Sequence, residues 1–174
     1  MAEKVLFRTS LTDTESTDVE GVGTIRKDDK GRKYKWVRNT NGTTLTAKQA
    51  VCYDIANNTG AADMLQEVID PATANLMAFA GIAMSAATDD SYFWILIRGL
   101  IDDAITDVPV SAAIIVGDFL LPTDALEHLG EAGSLVAPGT SPTYPFGAVA
   151  TEGVLTASTG TVGATQVYVI GMGS

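Results

Sequence analysis

Tyr92-Phe93-Trp94-Ile95-Leu96-Ile97 is the most strand-like stretch in the chain, dense in aromatic and β-branched side chains. Alternation along a strand sends Tyr92, Trp94 and Leu96 to one face and Phe93, Ile95 and Ile97 to the other. Both faces are apolar, so a central strand is expected, covered on each side by the domain or by another subunit. Tyr92, Trp94 and Leu96 are the expected subunit-contact residues.

Outward from this stretch, strand signals recur at short intervals. Residues 76–84 form an apolar run before it, separated by a turn at Ala87-Thr88-Asp89-Asp90-Ser91. Further upstream, Val22 to Lys27 and Arg32 to Arg38 flank Asp28-Asp29-Lys30-Gly31, residues that tolerate a tight reversal, which predicts a β-hairpin. In its second strand Tyr34, Trp36 and Arg38 share one face, and Lys33, Lys35 and Val37 the other. The aromatic face is expected to pack inward, leaving much of the basic charge in solvent. Asn39-Thr40-Asn41-Gly42 marks a second turn, followed by a strand at Ala50 to Asp54. Residues 61–69 tolerate a helix but are short and stopped by Asp70-Pro71, so a strand is expected there.

Downstream, Ile101 to Ile105 and Ser111 to Asp118 are further strand candidates. Asp124-Ala125-Leu126-Glu127 has the form of a capping box and Gly130 follows, which predicts one short helical segment near 124–130. Gly133 to Pro145 reads as a flexible stretch, and Phe146 to Ala150 with Gln166 to Ile170 as a closing two-strand unit. This unit echoes Phe79 to Ala83 followed by Tyr92 to Ile97: a small-residue strand, a polar turn, then a β-branched or aromatic strand. The expected fold is all-β, a β-barrel or β-tulip/sandwich. An extended N-terminal arm is expected over residues 1–20, since Thr9 to Glu20 holds only Leu11 and Val19 as large apolar residues, with a single barrel-like domain over 21–174.

The chain has 174 residues and a net charge of −10. Ten of the eleven basic residues lie in residues 1–48, making that part +3, while the rest is −13 with Arg98 as its only cation. Seven cations, Arg26, Lys27, Lys30, Arg32, Lys33, Lys35 and Arg38, fall in the predicted hairpin. They read either as a solvated hairpin face or as the candidate contact residues for an acidic protein surface. Nucleic acid is not the expected partner, because the acidic body repels phosphate over distances near the Debye length, about 8–10 Å. The apolar run Val5-Leu6-Phe7 is too short for a signal-peptide core, and longer runs are broken by Gly, Asp and Arg. Synthesis in a cytoplasm, without a membrane partner, is expected.

No catalytic, cofactor or metal site is expected. His128 is the only histidine and Cys52 the only cysteine, so Ser-His-Asp, Cys-His and zinc sites all lack material, and Cys52 reads as a small core residue. Asp28-Asp29, Asp89-Asp90 and Asp102-Asp103 are adjacent pairs, which point to opposite strand faces or sit in turns, and no Asp-x-Asp-x-Asp-Gly calcium loop occurs. Gly21-Val22-Gly23 and Gly171-Met172-Gly173 lack a following Gly-Lys-Ser.

Phe79-Ala80-Gly81-Ile82-Ala83-Met84-Ser85-Ala86-Ala87 followed by Tyr92 to Gly99 resembles small phage structural proteins, whose pattern is an Ala-Gly-Val-Ala strand, a short turn and an aromatic-Trp-Val-x-Val-x-Gly strand. Gly31 to Val37, Ala50 to Asp54, Phe146 to Ala150 and Val167 to Ile170 are similar to other parts of such chains. This chain departs from them in Asp89-Asp90 at the turn and in a longer segment from Leu121 to Pro145. The resemblance implies a β-barrel or β-tulip capsid decoration (cement) protein. Such a protein sits on the head exterior, often as a homotrimer, with the major capsid protein as partner. The alternatives are a tail or head-fibre subunit, or a glycan-binding virion module using Tyr34, Trp36 and Trp94 as exposed stacking residues. A small hydrolase, the third reading, would depend on His128.

Overall fold

The computed structural model describes residues 7–55, 65–71, 78–107, 114, 116–122, 129–131, 147–151 and 162–171. Among them the fold is all-β with essentially no helix, as the strand signals predict. The strands are β1 (Thr14–Glu15), β2 (Ile25–Lys27), β3 (Lys33–Asn39), β4 (Ala50–Tyr53), β5 (Glu67–Ile69), β6 (Phe79–Ala83), β7 (Tyr92–Asp107), β8 (Phe119–Pro122), β9 (Leu129–Glu131), β10 (Gly147–Ala150) and β11 (Val162–Ile170).

Pairing runs from β7 to β6, β4, β5 and β3, and the β3–β7 ladder returns to the start, so these five strands close a barrel. Closure leaves no exposed edge among them. A second circuit leaves β7 through β11, β10, β8 and β9 and comes back to β7 at Thr106↔Leu129. β7 belongs to both circuits. The two hairpin-like units that echo each other in sequence fall one to each circuit, β6 with the first half of β7 and β10 with β11.

β7 is one strand of 16 residues where two shorter ones, 92–97 and 101–105, are expected. Two local devices let it run through. Gly99 takes φ +122°, a conformation open to glycine alone among common residues, and Asp103 takes φ +61° where β7 carries one residue more than β11 between Ile101 and Ala104. Ladder pairing with β11 from Arg98 to Ile101 and again from Ala104 to Asp107 then carries the strand across the Asp102-Asp103 bulge.

Two apolar clusters lie on opposite faces of β3 and β7. One draws on all five barrel strands, through Val37, Val51, Tyr53, Val68, Ala80, Phe93, Ile95 and Ile97 among others. The other packs Tyr34, Trp36, Phe79, Ile82, Trp94 and Leu96, and continues into the second circuit through Ile101, Leu120, Val167 and Val169. Small residues on β6 permit this density. Gly81 in particular has φ +155°, and a Cβ there would run into the Leu96 carbonyl. Cys52 is a buried core residue, and burial pushes its thiol up, away from reactivity.

Three expectations are corrected here. First, residues 7–20 do not stand away from the body as an arm. Thr14 and Glu15 pair with Phe93 and Tyr92, Leu11 and Val19 pack on the second cluster, and Phe7 meets Trp94 edge-on at 5.7 Å. The leader is polar, yet its polar groups are the anchors. Trp94 Nε1 donates to Thr9 Oγ1 at 2.8 Å, Trp36 Nε1 donates to Asp18 Oδ1 at 2.9 Å, and Glu20 Oε1 accepts from the Arg8 and Thr9 amides and the Thr9 hydroxyl. Second, Leu129 and Gly130, expected to end a helical segment, lie in β9, because residues 129–131 pair with β8. Residues 124–128, including His128, lie outside the described residues, as does the stretch 133–145. Third, Val116 to Asp118, expected to continue a strand, precede β8 as a turn in which Gly117 takes φ +97°.

Candidate binding surface

The β2–β3 hairpin is built on Asp28. Its carboxylate accepts from the Lys30 and Arg32 amides, from Arg32 Nε at 2.6 Å and from the Tyr34 hydroxyl at 3.2 Å, which fixes the reversal that Gly31 completes at φ +81°. Burial acts to raise the Asp28 carboxyl, but the hydrogen bonds and charge of Arg32 outweigh it and hold the group below its ordinary value. The Tyr34 hydroxyl, buried and facing Asp28, is pushed up to about 12.

The seven candidate cations separate into three groups. Arg26, Arg32 and Arg38 are half-buried and engaged inside the chain. Arg26 donates to the Thr9 carbonyl and lies over Phe7 at 5.0 Å, Arg32 pairs with Asp28, and Arg38 pairs with Asp90 at 2.7 Å and Glu67 at 3.4 Å. Lys35 is buried, which corrects its place in the contact set. Its Nζ donates to the Tyr53 hydroxyl at 3.3 Å and sits 5.0 Å over that ring. The face it shares with Val37 is covered by the cluster of Val37, Phe93 and Ile95 inside the barrel, and burial pulls its ammonium below the usual lysine range. Lys27 and Lys30 are exposed and Lys33 partly so, and none of the three forms an ion pair among the described residues. The hairpin's outward charge therefore reduces to these three lysines.

The expected subunit-contact residues do not form a surface. Trp94 is fully buried with its ring 5.2 Å from that of Trp36, Leu96 is 1% exposed, and Tyr92 is half-buried against the same cluster. The leader and β3 cover them, so a second subunit has nothing to bury there. Tyr34, Trp36 and Trp94 likewise cannot stack on a glycan, since all three are fully buried and both indole N–H groups are satisfied internally.

A different exposed surface lies on the outer side of the β7–β11 ladder. Leu100 faces Tyr168 across it, and Ile170 faces Arg98. These are among the most exposed large apolar side chains described, at 39%, 37% and 36% for Leu100, Tyr168 and Ile170. Between them and the hairpin turn is a cleft of about 290 Å³ lined by Lys30, Gly31, Arg32, Gly99, Leu100, Asp102 and Tyr168. Asp102 is held by a hydrogen bond from the Gln166 side chain. None of these β7–β11 residues was legible as a site from sequence. The only available signal was Arg98, the lone cation in an otherwise acidic stretch. Among the described residues no group of three or more His, Cys, Asp or Glu side chains is placed to hold a metal. Compared with known proteins, the chain matches no family model and no curated protein.

Proposed function

We propose that this chain is a structural protein of a bacteriophage virion, a decoration or cement protein that binds the outer surface of the mature head and stabilises contacts between major capsid subunits. It is made in the host cytoplasm, associates as a homotrimer and acts without catalysis or a cofactor. The observation that carries this reading is the set of hairpin lysines, Lys27, Lys30 and Lys33, that form no ion pair among the described residues, displayed beside a closed barrel in a chain whose remainder is strongly acidic. Closure and two-faced burial make the barrel a rigid platform, and rigid platforms lose little conformational entropy on docking. Such an arrangement suits a binder that attaches in many copies to a repeating acidic surface, where avidity multiplies modest single contacts.

The deciding experiment is co-sedimentation of the purified protein with phage heads that lack it, comparing unexpanded with expanded shells at low and high salt. Saturable binding confined to expanded shells and weakened by salt is the expected result. Binding to neither shell overturns the reading in favour of a tail or fibre component.

A further inference from the structure

Strand register brings together cations that are far apart in the chain. Lys27 of β2 lies opposite Lys33 of β3, and Lys33 lies opposite Arg98 of β7. Directly opposed residues of antiparallel strands share a face, as Lys27 and Lys33 do, and Lys33 meets Arg98 at the register shift that follows Lys33 in the β3–β7 ladder. Three positive side chains thus stand in one row across three strands, and no ion pair among the described residues engages any of them. Like charges so placed oppose folding. Arg98 makes the arrangement pointed, because it is the only cation beyond Lys48 and it falls in register with the hairpin.

The row continues into apolar surface. Ile170 lies opposite Arg98, and the neighbouring Leu100–Tyr168 pair lines the cleft together with Lys30 and Arg32. Gly99 allows the hairpin to approach β7 closely here, since a Cβ there would lie 2.7 Å from Arg32 Cγ. Cations that form no ion pair among the described residues, an apolar ledge beside them and a cleft between therefore belong to one surface.

We propose that this surface binds an extended acidic peptide segment of a partner protein, its carboxylates along Lys27, Lys33 and Arg98 and an apolar side chain on Leu100, Tyr168 and Ile170. The identity of the partner as the capsid protein rests on the virion reading; the chemistry of the surface does not. A peptide fits better than a nucleic acid for two reasons. The ledge is mostly aliphatic, with Tyr168 its single ring for base stacking, and the acidic body repels a uniformly charged phosphate chain while admitting a short segment with a few carboxylates.

The test is fluorescence anisotropy with three labelled probes: a Glu-Leu-Glu-Ser repeat of twelve residues, a twelve-residue polyglutamate and a single-stranded thymidine oligonucleotide. The Glu-Leu peptide is expected to bind tightest, with affinity falling as salt rises. The Lys33→Ser/Arg98→Ser double variant should lose at least tenfold and the exposed Lys27→Ser substitution about threefold, with melting temperatures that show each variant folded. Equal affinity of wild type and both variants overturns the proposal, as does an oligonucleotide that outcompetes both peptides. Sedimentation with heads separates the two readings. Heads bound equally by wild type and double variant overturn this surface as the capsid contact while sparing decoration, whereas peptide binding without head binding removes the virion reading while supporting the surface.

Discussion

The two halves of β7 do opposite things with the same backbone. From Tyr92 to Ile97 the strand is covered on both faces, Trp94 and Leu96 in one cluster and Phe93, Ile95 and Ile97 in the other. From Arg98 onward Ile101 and Ala104 remain buried, but Arg98, Leu100, Asp102 and Asp103 face solvent. The first half closes the barrel; the second displays a surface. Where both faces of a strand are buried, side chains are committed to packing, and where one face is open, the strand has positions left for partner chemistry.

The sharpest way to break this comparison is a pair of truncations. Trp94→Ala should cost about 3–5 kcal/mol in denaturant unfolding, since it empties a fully buried indole site and strips its contacts with Trp36 and Phe7. Leu100→Ala, on the open half, should stay within about 0.5 kcal/mol of wild type. Similar losses at the two positions would show that the halves are not distinct. A smaller effect tests whether the leader seals the first half: Thr9→Val keeps the shape but removes the acceptor of Trp94 Nε1, for an expected loss of about 1–3 kcal/mol and a red-shifted tryptophan emission. Unchanged stability and emission would mean that residues 7–20 lie on the barrel without holding it.

Lys35 sharpens the comparison through pH. It stands on β3 opposite Ile95, in the doubly covered region, as a lysine with no carboxylate partner among the described residues. Burial lowers its folded-state pKa below the unfolded value near 10.5, so at neutral pH the folded state carries the burden of a buried ammonium. As pH rises from the folded value towards 10.5, the unfolded chain binds more protons than the folded one and stability increases. Lys35→Met should therefore be more stable than wild type at pH 7, by about 1 kcal/mol, with the gap closing as pH approaches 10.5. A gap that is constant with pH would place the ammonium in solvent.

Local chemistry in the sequence specified the hairpin, because Asp28 and Gly31 act within the turn itself. The central strand was legible for the same kind of reason, its composition alone demanding cover on both faces. Long-range register was not legible. Gly99 and Asp102-Asp103 look like strand breaks, and only pairing with β11 shows that they bend and bulge one strand. The leader looked free because its composition is polar, whereas Glu20, Asp18 and Thr9 find donors that lie elsewhere in the chain or in the leader's own backbone. Lys35 was assigned to solvent because alternation separates two faces but does not say that a second cluster covers the other one. The surface of Lys33, Arg98 and Leu100 failed to appear for a related reason: its members are adjacent across strands, and no spacing along the chain encodes that.

The smallest predicted effect bears most directly on why the open half of β7 is built as it is. If Arg98 stands beside Lys33 to meet an anion, the free protein bears a repulsion that no packing requirement explains. Arg98→Ser should then raise stability by about 0.5 kcal/mol at low ionic strength, with the gain disappearing near 1 M salt, where the Debye length is about 3 Å. Thermal melts of both proteins across a salt series read this directly. A functional surface that costs stability and a core strand that only supplies it would then sit within one continuous β7. A loss of stability on removing Arg98, unaffected by salt, would mean that its side chain packs along the ladder like the residues of the first half, and that the division at Gly99 is one of exposure alone.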